Sequence, residues 1–276
     1  MYFLDYYIVV DIGATRTRIG LADVDGLKEK IVFDTPRVGD EYTIAEMIYR
    51  IASRSYRGLM DRVKAVSVAT IGPLDMRRGR VVNTPNIPIH RIELLSPLRR
   101  LFNKPVFVVN DAVAAVYGEK YYGYGVDYRN IVYITLSTGV GGGVIVDDHL
   151  LLGKSGNAHE IGHIVVDFKS NVKCGCGGYG HWEAFAGGAN IPRLAKIMAE
   201  EYSGVDTEAW RKASKGELDP PTLFKLHREG DRFAEIVVNT IIKACIAGFS
   251  STINIYDPEL ITIGGSIYLN NEDIFY

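Results

Sequence analysis

Short apolar runs alternate along the chain with segments in which apolar residues recur every three or four positions. The first run, at residues 6–12, predicts a buried strand because it is mostly apolar and is bounded by turn residues. Similar runs predict further strands at residues 16–22, 31–33, 63–69, 106–109, 130–136, 144–146 and 260–263. The helical spacing predicts helices at residues 44–52, 92–102, 112–121, 191–202, 207–215, 222–228 and 231–256. This alternation predicts a layered α/β fold.

Two strand–turn–strand segments carry similar turns rich in glycine and threonine, at residues 11–17 and 135–143. Glycine lets the backbone approach a ligand closely, and threonine hydroxyls can donate hydrogen bonds to phosphate oxygens. Asp11, at the end of the first strand, can hold Mg²⁺ through water. A plain hairpin turn is the alternative interpretation of either segment. The second turn does not match a dinucleotide-binding loop, because such a loop opens a helix whereas residues 144–146 predict a strand.

Asn110 and Asp111 stand where the strand at 106–109 ends and the helix at 112–121 begins. We predict that Asp111 is the N-cap of that helix, where a carboxylate accepts hydrogen bonds from free backbone amides. A simple capping role is the alternative to a functional one. Two hydrogen-bonding side chains at the carboxyl end of a strand favour a ligand site, because open α/β sheets bind ligands there.

A glycine-rich stretch of histidines and cysteines is the most specific feature of the sequence. His163, Cys174, Cys176 and His181 supply four donors of the kind that Zn²⁺ prefers, and the glycines between them allow a tight loop. Exposed thiols and surface histidines are the alternative interpretation. Because all four positions would be filled by protein ligands, we predict a structural and not a catalytic zinc ion.

Composition narrows the class of protein. The 31 basic and 33 acidic side chains nearly cancel, and the basic clusters are too short for a nucleic-acid-binding surface. The N-terminus does not have the pattern of a signal peptide, and we expect no apolar stretch long enough to span a bilayer, so we expect a cytoplasmic protein without a membrane partner. The chain contains no glutamine, which suggests a thermophilic source.

The motifs and their order resemble those of the ROK family of bacterial and archaeal sugar kinases. They are Asp11-x-Gly13-x-Thr15, Asn110-Asp111, Thr138-Gly139-x-Gly141, Glu160-x-Gly162-His163, Cys174-x-Cys176-Gly177-x-x-Gly180 and Glu183. The resemblance covers nearly the whole chain. It implies a two-domain, actin-like (ribonuclease-H-like) α/β sugar kinase fold with sugar and ATP in an interdomain cleft. We expect a smaller N-terminal domain at residues 1–112 and a larger C-terminal domain at residues 113–276 that carries the zinc loop.

The resemblance also implies a role for each matching residue. Asp111 matches the catalytic base. The positions similar to sugar contacts are Asn110, Asp111, Glu160, His163 and Glu183, with Gly72 and Asn86 as accessory contacts. The positions similar to nucleotide contacts are Asp11, Gly13, Thr15, Thr17, Thr138, Gly139, Gly264 and Gly265. His163 would serve both sugar and zinc, with one ring nitrogen for each.

The activity that the resemblance implies is transfer of the γ-phosphoryl group of ATP, with Mg²⁺, to the 6-hydroxyl of a hexose. Glucose is the favoured substrate, and mannose, fructose, glucosamine and N-acetylmannosamine are the alternatives. The sequence departs from the family pattern at His181, which replaces a cysteine, and at His159, where a small residue is usual. Family members also continue beyond the turn at Gly264-Gly265, so we expect either a shortened tail or an incomplete sequence.

Two other classes of function compete with a kinase. The family includes sugar-responsive regulators, which carry a DNA-binding module before the first motif, and we expect no room for one before Asp11. A non-catalytic sugar-binding protein would lack the base or the phosphate turns, and both are present here. We expect a homodimer or higher homo-oligomer, the commonest arrangement of soluble oligomers.

Overall fold

The computed structural model describes residues 5–82 and 87–275 of the chain. Asn86, predicted as an accessory sugar contact, lies outside the described residues. The chain divides into two compact units. The first contains residues 1–114 and 152–158, and the second contains residues 115–151 and 159–276.

The first unit is built on a five-stranded sheet of order β3-β2-β1-β4-β8, with a separate three-stranded sheet of order β5-β6-β7. The strands are β1 (Tyr6–Ile12), β2 (Arg16–Asp23), β3 (Gly26–Asp34), β4 (Val63–Thr70), β5 (Leu74–Asp75), β6 (Arg80–Val82), β7 (Arg91–Glu93) and β8 (Val106–Asn110). β1, β2 and β3 form an antiparallel meander, whereas β1, β4 and β8 are parallel. The predicted meander at the start of the chain is therefore confirmed.

Three helices accompany these strands: α1 (Thr43–Ser55), α2 (Leu95–Phe102) and α3 (Asp111–Tyr122). α1 buries Ile44, Ile48 and Ala52, which recur every four residues and therefore lie on one face. The predicted helix at residues 92–102 is wrong at its start. Ile92 lies in β7, where it pairs with Val81, and the helix begins only at Leu95.

The second unit has a four-stranded sheet of order β11-β10-β9-β12. Its strands are β9 (Ile131–Leu136), β10 (Val140–Val146), β11 (His149–Leu150) and β12 (Leu260–Gly264). β9 and β10 form an antiparallel hairpin, and β12 lies parallel to β9. β10 starts four residues earlier than the predicted strand at 144–146, because its glycines pair with β9 and do not remain in the turn.

Helices form the rest of the second unit. They are α4 (Trp182–Ala186), α5 (Ile191–Glu201), α6 (Glu208–Ser214), α7 (Pro220–Arg228), α8 (Arg232–Tyr256), α9 (Ser266–Leu269) and α10 (Glu272–Phe275). Four of them match predicted helices closely, whereas α4, α9 and α10 had no periodic signal because each has only four or five residues. The predicted layered α/β architecture is confirmed.

Helix α8 corrects the expectation that no apolar stretch of the chain is long enough to span a bilayer. Within the described residues it is the helix that is long and apolar enough, by length and composition, to cross a membrane. One face packs in the core of the second unit, where Cys245 accepts a hydrogen bond from Trp182 Nε1 at 3.4 Å and Phe249 contacts the Trp182 ring edge-on. A core helix of a soluble protein passes the same test, so length and composition alone do not assign a membrane span to α8.

Candidate active site and metal centre

In the first unit, three parallel strands bring most of that unit's predicted site residues to one edge of the sheet. The register pairs Ile12 of β1 with Thr70 of β4, and Thr70 with Asn110 of β8. The turn after β1, Gly72 after β4 and Asp111 after β8 therefore follow strands that end side by side. Carboxyl ends of parallel strands are where open α/β sheets bind ligands.

The turn after β1 is held by Thr35, a buried residue that the sequence analysis did not single out. The Thr35 backbone amide donates to Thr15 O at 2.9 Å, and its hydroxyl donates to Gly13 O at 2.8 Å. Thr17 is fully buried, and its hydroxyl lies 2.9 Å from that of Thr35. This placement corrects the direct phosphate contact predicted for Thr17, because Thr17 supports the turn from inside. Thr15 is the exposed threonine of the turn.

Asp11 is paired with Arg18, a second residue that the sequence analysis did not single out. The two face each other across β1 and β2, and Arg18 Nη1 donates to Asp11 Oδ2 at 2.5 Å. Both side chains are almost half exposed, at 46% and 43%. The signal in the sequence was the meander itself, because a tight turn after β1 places residues 11 and 18 opposite each other.

Asn110, and not Asp111 as the sequence predicts, is the N-cap residue of α3. Asn110 Oδ1 accepts a hydrogen bond from the Ala112 amide at 2.9 Å, the pattern of an N-cap side chain. Asp111 is the first residue of α3 and its side chain is exposed. Its carboxylate also contacts the Ala112 amide, at 2.9 Å. Asp111 is therefore an exposed carboxylate at the N-terminus of a helix, where the helix dipole favours negative charge.

In the second unit, Glu183 of α4 contacts the turn between β9 and β10. Glu183 Oε2 accepts a hydrogen bond from the Val140 amide at 3.1 Å. A Cβ atom on Gly139 would collide with the same carboxylate, so a larger residue there would push Glu183 away from the turn. The neighbouring Thr138 is exposed, and its carbonyl accepts a hydrogen bond from the Ala189 amide at 3.0 Å.

The turn at Gly264 and Gly265, at the end of β12, lies beside the turn between β9 and β10. β12 is parallel to β9, and the register pairs Gly264 with Thr135. Gly265 has a φ of +95°, and a Cβ there would collide with the carbonyl oxygen of Leu136. The two glycine turns predicted to contact nucleotide in this unit therefore lie at one edge of the sheet.

A cavity of about 530 Å³ opens at this edge of the second unit. Its lining residues are Ser137, Thr138, Gly188, Ala189, Pro220, Pro221, Phe224, Arg228, Ser266, Ile267, Asn270 and Asn271. Arg228 joins α7 to α10 across one side of the cavity, with two hydrogen bonds to Asp273 at 2.7 and 2.8 Å and one to Asn271 at 3.0 Å. The Arg228 guanidinium lowers the pKa of the Asp273 carboxyl below its usual value.

The four predicted metal ligands lie together in the second unit. The ligand atoms of His163, Cys174, Cys176 and His181 are all within 4.8 Å of one another. Cys174 Sγ lies 3.7 Å from His163 Nδ1, and Cys176 Sγ lies 3.2 Å from His181 Nδ1. A tetrahedral zinc ion with ordinary bond lengths separates its ligand atoms by about 3.3–3.8 Å. The donor set and its spacing therefore fit a closed Zn²⁺ site.

Hydrogen bonds between backbone groups fold the cysteine loop and leave the Cys and His side chains to face one another. The Cys174 amide donates to Gly178 O at 2.7 Å, and the Gly177 amide donates to Cys174 O at 3.0 Å. An isolated bridge pairs Val165 with His181, immediately before α4. These contacts place Cys174, which is buried, and Cys176, which is exposed, against the two histidines.

The electrostatics of this cluster favour a bound cation. Burial raises the pKa of the Cys174 thiol to about 12, so without a cation that thiol is protonated at neutral pH. Burial, and then the neighbouring His163, lower the pKa of His181, which keeps its ring neutral and able to coordinate. A divalent cation deprotonates a coordinating thiol, so the cluster would bind metal with release of a proton.

Each predicted sugar-binding residue of the second unit touches the metal cluster. His163 Nδ1 faces Cys174, whereas its Nε2 lies 3.8 Å from Glu160 Oε2. Glu183 Oε1 lies 3.7 Å from Cys174 Sγ. Asn190 Nδ2 also donates to Glu183 O at 3.1 Å, which fixes the end of α4. The two nitrogens of His163 therefore point to different neighbours, as the dual role predicted for this residue requires.

Comparison with known proteins identifies the family. The ROK family model matches residues 7–274. The chain belongs to the ROK family. It is 45% identical over 269 residues to a glucokinase of Pyrobaculum calidifontis, covering 97% of this chain and 81% of the relative. It is 43% identical over 270 residues to a glucokinase of Aeropyrum pernix, covering 96% and 82% of the two chains.

A solved structure agrees with this assignment. The ROK hexokinase of Thermus thermophilus superimposes with a TM-score of 0.82 at 32% identity, covering 98% of this chain and 85% of that one. ROK sugar kinases have the two-domain actin-like fold, so the predicted fold class is confirmed. The ROK assignment also accounts for the order of the motifs, from the turn at Asp11 to Glu183.

Proposed function

We propose that this ROK protein is an ATP-dependent hexokinase that transfers the γ-phosphoryl group to the 6-hydroxyl of glucose. The observation that carries the proposal is the 45% identity to a glucokinase over 97% of the chain. Mannose, fructose, glucosamine and N-acetylmannosamine are alternative acceptors, because fold and motifs alone do not distinguish among hexoses.

In the first unit, Asp111 is the proposed catalytic base. Its exposed carboxylate follows β8, which pairs with β4, the neighbour of β1, and an exposed carboxylate can accept the proton of a sugar hydroxyl. Asn110, Gly72 and Asn86 are proposed sugar contacts of the same unit. Most of the rate enhancement in phosphoryl transfer comes from positioning and charge stabilisation, so the base needs only to orient the hydroxyl and receive its proton.

In the second unit, Glu160, His163 and Glu183 are the proposed sugar contacts. Carboxylates and a histidine ring accept or donate hydrogen bonds to hydroxyl groups. Cys174 of the cysteine loop contacts both His163 and Glu183, so the positions of these two side chains depend on how that loop folds. We propose that Zn²⁺ bound to His163, Cys174, Cys176 and His181 is structural and holds these contacts in place.

The nucleotide contacts are proposed in both units. Gly13 and Thr15 of the first unit, and Thr138, Gly139, Gly264 and Gly265 of the second, are the proposed phosphate and nucleotide contacts. The cavity of about 530 Å³ in the second unit is large enough for an adenosine, and it opens beside Thr138 and Ser266. Asp11 would hold Mg²⁺ through water, and the ion when bound neutralises charge on the phosphates.

The remaining features of the proposal concern the protein as a whole. We propose that the two domains divide near residue 112, with residues 152–158 belonging to the first domain as they belong to the first compact unit. We also propose that the protein is a cytoplasmic homodimer or higher homo-oligomer. Its partners are then a small sugar and ATP, without a nucleic acid or a membrane.

Sugar-dependent release of ADP from ATP and Mg²⁺ tests the proposed function. The assay uses glucose and the four alternative acceptors at raised temperature, with Asp111→Asn as the matched inactive variant. We expect turnover with glucose, and at least a hundredfold lower kcat with measurable sugar binding in the variant. Folded protein that binds sugar without turning over any acceptor would instead favour a non-catalytic sugar-binding protein or a regulator.

A further inference from the structure

The site residues inferred from the motifs contain no lysine or arginine. Their charged members are the acids Asp11, Asp111, Glu160 and Glu183. Phosphoryl transfer develops negative charge on the phosphate oxygens, and enzymes of this kind neutralise it with a metal ion together with a fixed cationic side chain. A kinase built from the inferred residues alone would therefore lack a side-chain cation.

Arg18 supplies such a cation beside the first phosphate turn. The register of β1 and β2 places Arg18 directly opposite Asp11, and its Nη1 contacts Asp11 Oδ2 at 2.5 Å. Asp11 is the proposed holder of Mg²⁺. Any phosphate whose metal ion is held by Asp11 therefore lies within reach of the long Arg18 side chain.

The exposure of this ion pair allows Arg18 to change partner at low cost. Both side chains are almost half exposed, and an ion pair exposed to that degree contributes little to stability. The planar guanidinium matches phosphate oxygens as well as it matches a carboxylate, so Arg18 can exchange one for the other. A buried and fully partnered arginine could not make that exchange without a large desolvation cost.

We propose that Arg18 binds the β- and γ-phosphate oxygens of ATP and stabilises the transferring phosphoryl group. This inference rests on the proposed kinase function. In the step it assists, the sugar 6-oxygen bonds to the γ-phosphorus while the bond from that phosphorus to the bridging oxygen breaks. The hydroxyl proton passes to Asp111, ADP leaves, and Arg18 keeps all its protons. Asp11, once released by Arg18, would be available to hold Mg²⁺ through water.

Nucleotide binding, measured by calorimetry on the full chain, tests the proposal without relying on turnover. Arg18→Gln removes the charge, Arg18→Lys keeps the charge but not the fork, and Lys30→Gln removes an exposed charge from the same sheet. For Arg18→Gln we expect about tenfold weaker binding of a non-hydrolysable ATP analogue and unchanged binding of AMP. We expect Arg18→Lys to recover part of the affinity and Lys30→Gln to match wild type.

Kinetics supply the second measurement. We expect Arg18→Gln to lower kcat about a hundredfold, the size of effect seen when one preorganised charge-stabilising donor is removed. An equal loss of AMP and analogue affinity would assign Arg18 a structural role and overturn the proposal. Wild-type affinity and kcat in Arg18→Gln would overturn it as well. Neither result affects the proposed function, which fails only if the wild-type protein itself phosphorylates no sugar.

Discussion

Glu183 accepts a hydrogen bond from the Val140 amide at 3.1 Å with one carboxylate oxygen, while the other lies 3.7 Å from Cys174 Sγ. One side chain therefore links α4, the turn after β9 and the cysteine loop. The Val140 amide and the Cys174 thiol therefore contact the Glu183 carboxylate from two sides. A disturbance of the loop will consequently be transmitted to a proposed sugar contact and to a proposed phosphate turn.

Removing zinc should weaken sugar binding. We expect wild-type protein to contain about one zinc ion per chain, and Cys176→Ser to lose it, because one of four ligands is replaced by a poorer donor. The free ring of His163 and the carboxylate of Glu183 would then lose their support, which raises the KM for glucose. Metal content by mass spectrometry and sugar affinity by calorimetry measure the two effects.

His90→Asn is the matched control for this experiment, because His90 is an exposed histidine that is not in the cluster. We expect it to keep both the metal and the sugar affinity. Full sugar affinity in metal-free protein would contradict the supporting role of the ion.

Adding a single methyl group at Gly139 should damage the site. A Cβ there collides with Glu183 Oε2, so Gly139→Ala must displace the carboxylate or the turn. The end of a flexible side chain moves at little cost, so the main loss is the Glu183–Val140 hydrogen bond, worth about 0.5–1.5 kcal/mol of stability. We expect that loss in chemical denaturation, together with a higher KM for glucose. The control is Gly58→Ala, because a Cβ at Gly58 meets no atom within 4 Å and should change stability by less than about 0.5 kcal/mol.

The first phosphate turn should depend on the Thr35 hydroxyl. Thr35→Val keeps the shape of the side chain but removes the donor to Gly13 O and the contact to Thr17. Leaving the buried Thr17 hydroxyl without this partner costs about 1–3 kcal/mol. We expect a corresponding loss of stability and a higher KM for ATP, with the KM for glucose less affected. Thr35→Ser, which retains the hydroxyl, should restore most of the ATP affinity; a variant Thr35→Val with wild-type KM for ATP would show that the turn holds without it.

Local pattern was sufficient for most of the fold, and its failures have physical causes. Strand β1 is a nearly continuous apolar run and helix α1 has strong helical periodicity, and both begin and end within a few residues of the prediction. Ile92 was assigned to a helix because its spacing fits α2, but pairing with Val81 decides its structure, and pairing depends on residues distant in sequence. The short helix α4 is held by tertiary contacts and leaves no periodic signal.

The functional site was likewise only partly predictable from the sequence. Motif spacing identified the cysteine loop, because its four ligands lie in one short stretch around a turn-rich segment. It did not identify Thr35 or Arg18, whose roles depend on cross-strand register. It placed Thr17 towards a ligand, although alternation along β2 turns that side chain into the core. The catalytic and binding roles of the individual residues stay predictions until the variants described above are measured.

The stability of the second unit should depend on pH through Asp231, the N-cap of α8. Asp231 Oδ1 accepts hydrogen bonds from the Phe233 and Ala234 amides and the Thr207 hydroxyl, at 2.9, 3.0 and 2.8 Å, and Oδ2 accepts one from the Ala209 amide at 3.0 Å. Burial acts to raise the pKa of Asp231, but these hydrogen bonds outweigh it, and the pKa is lowered. The folded state therefore binds a proton at Asp231 less readily than the unfolded state does.

A carboxyl whose pKa is lower in the folded state adds stability above its unfolded pKa of about 3.9, and that stability is lost as the pH falls through the folded value. We expect Asp231→Asn to lower the free energy of unfolding by about 1–2 kcal/mol at pH 7, as loss of a charged cap does. The difference from wild type should shrink steadily below pH 4. Urea denaturation at pH 7 and pH 3 measures it, with the exposed Asp127→Asn as control. A difference of the same size at both pH values would mean that the charge of Asp231 is not what stabilises α8, and that only the shape and hydrogen-bonding capacity of the side chain matter there.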